Sequence, residues 1–250
     1  MKILLTNDDG VYADGITELA VVLTNRGHQI AAAAPDRERS ASGHAITIKD
    51  PLRALKIKRS ALPDTTIYRI SGTPADCVKL AVDKLIDFHP DLVISGINHG
   101  PNLGLEILYS GTVSAAIEAS MLGFPSIAVS MDYSTENAFS EAAEILADLL
   151  DNNELFNNDN KFLLNINFPK NFNHKSNINI TKLGKTFYCD NFVERRDPIG
   201  NTYYWLYGDN RDLKDDSSDI GEYLNGNISI TPLKIDLTDK KELEFLKNNF

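Results

Sequence analysis

Apolar and polar positions alternate along this chain in blocks that change period, and the changes mark the elements. Lys2–Thr6 is a short apolar run of the kind that forms a buried strand. Ile16, Leu19, Ala20 and Leu23 then recur at i, i+3, i+4 and i+7, which predicts an amphipathic helix, with Gly27 as its terminating residue. Gln29–Ala34 predicts a second strand stopped by Pro35. Asp36–Gly43 has no period and reads as a loop, and Ala45–Ile48, Leu52–Ile57 and Thr66–Ile70 are candidate strands of a side extension. Thr73-Pro74 opens a helix, threonine as N-cap and proline at the first helical position, running through Val78, Leu80, Ala81 and Leu85. Asp91–Ser95 is the next buried strand, Gly96–Gly104 a glycine-rich loop, Thr112–Leu122 a helix closed by Gly123, Pro125–Ser130 a strand, Glu136–Leu150 an amphipathic helix and Lys161–Asn167 a strand.

This alternation predicts an α/β core over residues 1–168, Rossmann-like, with a mostly parallel sheet and helices on both faces. Residues 169–250 have a different texture, with aromatic and charged clusters such as Thr202–Tyr207 and Asp212–Asp219. They are expected to form a C-terminal extension with a β-rich arm, a strand at Asn227–Thr231 and a terminal helix from about Asp239. The arm's Tyr203, Tyr204 and Trp205 must pack on the core, on a partner subunit or on their own extension.

Composition narrows the function classes. The 250 residues carry a formal net charge of −10, which argues against a surface for duplex nucleic acid or anionic lipid. A phosphate-bearing ligand would need a local device, such as a metal ion, to overcome that field. The two cysteines, Cys77 and Cys189, make neither a disulfide framework nor a zinc motif, and Cys77 reads as a small buried hydrophobe. No apolar run approaches a membrane span or a signal-peptide core, so the expected location is the cytoplasm.

The candidate chemistry lies at strand ends. Asn7-Asp8-Asp9-Gly10 directly follows the first strand, where parallel sheets place their ligands, although these residues alone would also suit a plain turn. Ser40 and Ser42 follow the second strand, and Asn98 and Asn102 follow Asp91–Ser95, so three loops converge on one sheet edge. Two carboxylates, a hydroxyl and an amide carbonyl make a hard oxygen set that suits Mg²⁺ or Mn²⁺ and not zinc. Ser110-Gly111-Thr112 at the next helix mouth reads as a phosphate cradle or as a simple N-cap. Together with Ser42, Gly43 and Asn102, these three residues are the expected substrate contacts. His44 and His99 lie in site-facing loops and are candidate general acids or plain surface groups. The glycines of Gly96–Gly104 have the wrong spacing for a dinucleotide fingerprint, and the chain has no P-loop, nucleophile elbow or D-x-D-x-T arrangement.

Asn7–Gly10, Pro35–Gly43, Gly72–Leu80, Ser95–Gly104 and Tyr109–Val113, in this order and spacing, resemble the SurE family of stationary-phase survival protein nucleotidases. The second half is similar more loosely, through Glu194-Arg195-Arg196, Tyr203-Tyr204-Trp205 and Ser229–Pro232. Leu103 stands where that family often has methionine, and His99 occupies a variable place; neither departure touches a ligand position. The resemblance implies a divalent-metal-dependent phosphatase acting on nucleoside 5′- and 3′-monophosphates, sometimes on short polyphosphate. It further implies one ion per subunit held by Asp8, Asp9, Ser40 and Asn98, and dimers or tetramers built through the C-terminal arm. Water activated at the ion would attack phosphorus, with direct attack by Asp8 or Asp9 as the other route. Two rival readings are a polyphosphatase or generalist phosphomonoesterase, and a non-catalytic metal-dependent nucleotide-binding module.

Overall fold

The computed structural model describes residues 1–132, 138–152, 161–185, 188–210 and 217–250. In chain order the elements begin β1 (Lys2–Thr6), α1 (Asp14–Asn25), β2 (Gln29–Pro35), β3 (Ala54–Arg59), β4 (Leu62–Ile70), α2 (Pro74–Leu80) and β5 (Leu92–His99). They continue with α3 (Gly111–Met121), β6 (Ser126–Met131), α4 (Ala138–Asn152), β7 (Leu163–Phe168) and β8 (Ile178–Ile180). The last are β9 (Tyr188–Arg196), β10 (Thr202–Asn210), α5 (Asp219–Leu224), β11 (Ile228–Pro232) and α6 (Lys240–Asn249).

Nine strands form one sheet in the order β3-β4-β2-β1-β5-β6-β7-β11-β8. The run from β4 to β7 is parallel, while β3 and β11 pair antiparallel with β4 and β7. Two strands from beyond residue 168, β11 and β8, therefore extend the same sheet. Side-chain alternation sorts the strand residues between two layers. Ile3, Leu5, Ala32, Ala34 and Ile94 face α1 and α4, whereas Leu4, Ala31, Ala33 and Val93 face α2 and α3. Strands covered on both faces are buried along most of their length, as β1, β2 and β5 are. No helix among the described residues is long and apolar enough to cross a membrane.

Local chemistry accounts for the element ends. Thr73 and Asp76 form a reciprocal capping box at α2, each side chain accepting from the other's backbone N–H, with Pro74 at the first helical position. Ala45–Ile48, expected to be a strand, is not one: Ile46 and Ile48 are exposed and the segment is held by side-chain contacts without a strand partner. β5 also runs past its expected end at Ser95, rejoining β6 after an irregularity through Asn98 and His99. Glu136 and Asn137 of the predicted fourth helix, and Asp212–Asp216 of the acidic cluster, lie outside the described residues. The aromatic arm is a separate two-stranded antiparallel ribbon of β9 and β10, in register from Thr202 opposite Arg196 to Asn210 opposite Tyr188. Phe192 is 73% exposed on it and Trp205 65%.

Candidate functional site

β1 and β5 are adjacent at the centre of the sheet, where successive connections diverge to opposite sides, and such a switch point opens a crevice at the strands' carboxyl ends. The turn after β1 fills it. Asn7 is fully buried and closes the turn on itself: its amide donates to the Gly10 carbonyl (2.9 Å) and its oxygen accepts from the Gly10 N–H (3.1 Å). Gly10 completes the turn at φ +102°, where a side chain would be strained. With Asn7 turned inward, Asp8 and Asp9 project at the crevice.

Asp8 is 5% exposed and meets the start of α3, where Thr112 offers it both its hydroxyl and its backbone N–H. Burial pushes the Asp8 carboxyl above the ordinary carboxylate range, and the Thr112 hydrogen bonds only partly offset this. Asp9 is pushed up to about 6, first by burial and then by the neighbouring Asp8 charge, with a weak opposing contact from the His99 N–H at 3.4 Å. The field of Glu38 acts on both in the same direction. Glu38 is an acidic neighbour that motif reading passed over.

The other predicted residues fall at different depths. Arg39 N–H donates to the Asp8 carbonyl (2.8 Å), clasping the loop after β2 to the turn after β1. On that loop Ser42 turns inward, its hydroxyl oxygen buried without a hydrogen-bond partner. A Cβ at Gly111 would stand 2.8 Å from Asp8 Cβ, 2.9 Å from Asp8 Oδ2 and 3.0 Å from Ser42 Oγ, so glycine is what lets these groups meet. Gly43 N–H donates to the Tyr109 carbonyl at 3.0 Å. Ser40 is exposed, and its hydroxyl donates to Glu38 Oε1 at 2.5 Å rather than to the aspartates. Asn98 donates its amide nitrogen to the Gly100 carbonyl (2.7 Å), which leaves its oxygen as a donor atom for a cation. Ser110 caps α3, accepting from the Val113 N–H at 3.1 Å.

Asn102 is an anchor. Its N–H donates to Asn167 Oδ1 (2.8 Å) and its side-chain amide to Ser130 Oγ (2.7 Å), while its carbonyl accepts from Asn165 (2.8 Å) and Asn167 (2.9 Å). The sequence reading missed Asn165 and Asn167, although two asparagines at i and i+2 in an otherwise apolar strand are a signal, since buried amides need partners. Glu118 was missed too. It is a lone acid among the small residues of α3, buried, and bonded to His44 (2.8 Å) and Lys79 (2.7 Å). His44 thus engages Glu118, and His99 touches the site through its backbone.

Among the described residues no three His, Cys, Asp or Glu side chains gather at metal-binding distance. An ion at this edge would rest on the Asp8–Asp9 pair and neutral oxygens, a set that suits Mg²⁺ or Mn²⁺. The residues fit such an ion, because two adjacent carboxylates whose burial disfavours their charge gain most from a cation.

The whole chain is similar to known proteins. A family model described as survival protein SurE matches residues 3–190. The protein named 5′-nucleotidase SurE from Alkaliphilus metalliredigens is 45% identical over 253 residues, covering 99% of this chain and 98% of its own. A protein of the same name from Syntrophomonas wolfei is 46% identical over 255 residues, covering 100% of this chain and 95% of its own. The crystal structure of the SurE protein from Aquifex aeolicus superposes with a TM-score of 0.83 at 36% identity, covering 100% of this chain and 99% of that one.

Proposed function

This chain belongs to the survival protein SurE family, and on that premise we propose that it is a nucleotidase, hydrolysing nucleoside monophosphates at the edge built from Asp8, Asp9, Ser42 and the start of α3. The observation that carries the reading is the Asp8–Asp9 pair, two neighbouring carboxylates at the switch point, with a buried, unpartnered Ser42 hydroxyl close to Asp8 beside Gly111.

A bound Mg²⁺ or Mn²⁺ would neutralise phosphoryl oxygens and acidify a water. Asp8, Asp9, the Asn98 oxygen and the Ser40 hydroxyl would hold that ion, Ser40 keeping its oxygen lone pairs while its proton is donated to Glu38. Thr112 fixes the orientation of Asp8 through two hydrogen bonds. Ser42, whose buried hydroxyl is left without a partner beside Gly111, would offer a donor to a phosphate oxygen bound at that edge. Without an ion Asp9 is pushed up to about 6, and a cation held against it would bring that value down and favour the charged, ligating carboxylate.

We further read the β9–β10 ribbon as the surface that builds a homodimer or homotetramer, supported by the exposure of Phe192, Tyr204 and Trp205. Cys77, a buried free thiol, supports a reducing cytoplasmic location.

The test is phosphate release after exhaustive chelation, then with added Mg²⁺ or Mn²⁺, on 5′- and 3′-nucleoside monophosphates, short polyphosphate and an aryl phosphate. Metal-restored turnover of nucleotides is expected. Preference for the aryl ester or polyphosphate would favour a generalist, and saturable nucleotide binding without release would favour a binding module.

A further inference from the structure

The loop that carries Ser40, Ser42 and Gly43 lacks a strand partner of its own, and its backbone enters the left-handed region at Ala41 (φ +52°) and Gly43 (φ +54°). Gly43 adopts that region freely, but at Ala41 it costs energy and persists only where surrounding contacts over-determine it. Two buried carboxylates on neighbouring helices supply those contacts. Asp76 of α2 accepts the Thr47 N–H at 2.9 Å and the Thr47 hydroxyl at 2.6 Å. Glu118 of α3, its side chain 4% exposed, meets His44 Nε2 on one oxygen and Lys79 Nζ on the other. A carboxylate that deep is tolerated only when paired and hydrogen-bonded. Lys79 supplies the counter-charge, and His44 brings the loop to it.

The placement of His44 ties this contact to the site. It follows Gly43, which is bonded to the Tyr109 carbonyl, and lies two residues beyond Ser42. Glu118 stands on the same helix as Gly111 and Thr112, roughly 10 Å further along its axis at about 1.5 Å per residue. One rigid helix therefore presents its first turn to Asp8 and, two turns later, grips the loop that faces Asp8 from the other side.

We propose that His44, docked on Glu118 and supported by Lys79, is a positioning residue that fixes Ser42 and Gly43 over Asp8 and thereby sets the affinity for the substrate's phosphate. The proposal rests on reading this edge as a phosphomonoester site.

Two readouts on the full chain separate that reading from the docking itself. In metal-free protein, hydrogen exchange at the Gly43 amide reports the loop, with the Val113 amide of the α3 cap as control. In Mn²⁺, steady-state kinetics on a nucleoside monophosphate and inhibition by inorganic phosphate report the site. His44→Ala should speed exchange at Gly43 about tenfold with Val113 unchanged, and raise KM and the phosphate inhibition constant about tenfold, with kcat within about threefold. His44→Gln, whose amide nitrogen falls near the imidazole Nε2 position, should restore most of both. Unchanged exchange and KM, a loss confined to kcat, or a glutamine variant no better than alanine would overturn the proposal. If the parent releases no phosphate from any nucleotide, the functional reading fails, and the exchange experiment still decides whether the dock holds the loop. Glu118→Gln tests the other half of the contact; should it not fold, His44→Ala, with a side chain 30% exposed, remains decisive.

Discussion

Asp8 and Asp9 both sit where ionisation is disfavoured, so at neutral pH each charge weakens the metal-free fold that presents it. Asp8→Asn and Asp9→Asn keep the side-chain volume and remove one charge. Each should lower kcat/KM more than about a hundredfold, about 3 kcal/mol of transition-state stabilisation. In chelator, Asp9→Asn should melt no lower than the parent. Kinetics beside thermal melts checks both, and near-normal kcat in both variants would remove the pair from the chemistry. Thr112→Val deletes a hydroxyl that Asp8 uses, leaving the carboxyl harder to ionise. The metal concentration giving half-maximal activity should rise about tenfold, the value of one hydrogen bond to a charged group, and a metal titration measures it. Asp8, Asp9 and Asn98 were legible as site candidates because they follow apolar runs that must be buried strands. The partners of Asn102 and His44 were not, since Asn165 lies 63 residues away along the chain and Glu118 lies 74 away, and only the assembled sheet brings them together.

At the scale of elements, α2 shows how one cap serves two purposes. Asp76 closes the capping box with Thr73 and also receives Thr47 from the site loop. Burial would raise its carboxyl, but the hydrogen bonds from Thr47 and Thr73 outweigh burial and hold it below the ordinary range. A carboxylate lowered in this way adds stability that is present above its unfolded value, about 3.9, and is lost as pH falls through the folded value. Asp76→Ala should therefore cost about 2–3 kcal/mol at pH 7 and progressively less below about pH 3.9. Urea unfolding at several pH values measures the difference. The strand and helix alternation of the first half was readable because periodicity and caps are local, as Thr73-Pro74 and Gly27 illustrate. Two elements and the far end of a third escaped for the opposite reason. β8 is three residues long and is defined by pairing with β11; α5 is a six-residue helix capped by Ser218 at the end of an acidic cluster; and β5 runs beyond Ser95 only because β6 lies alongside it.

For the whole molecule, the ribbon and the sheet are separable in a way the change of texture near residue 169 did not reveal. Cutting the chain at Lys185 would take β11 out from between β7 and β8, whereas excising residues 188–210 removes only the ribbon, whose ends pair at Tyr188 and Asn210. With a short flexible link in its place, the excised protein should keep a cooperative thermal transition and become monomeric by light scattering, while the parent is oligomeric. A parent that stays monomeric at micromolar concentration would show that the exposed rings need no second copy. The place of β11 also matters while the protein is being made. β7 is finished at Phe168, but the strand that covers its open side begins at Ile228. At roughly 5–20 residues per second, synthesis leaves that apolar edge bare for several seconds. An unpaired edge of this kind is a template for pairing with other nascent chains, so the yield of folded protein from the ribosome should depend on how fast the Asn-rich stretch after residue 170 is translated, and on what shields β7 in the interval.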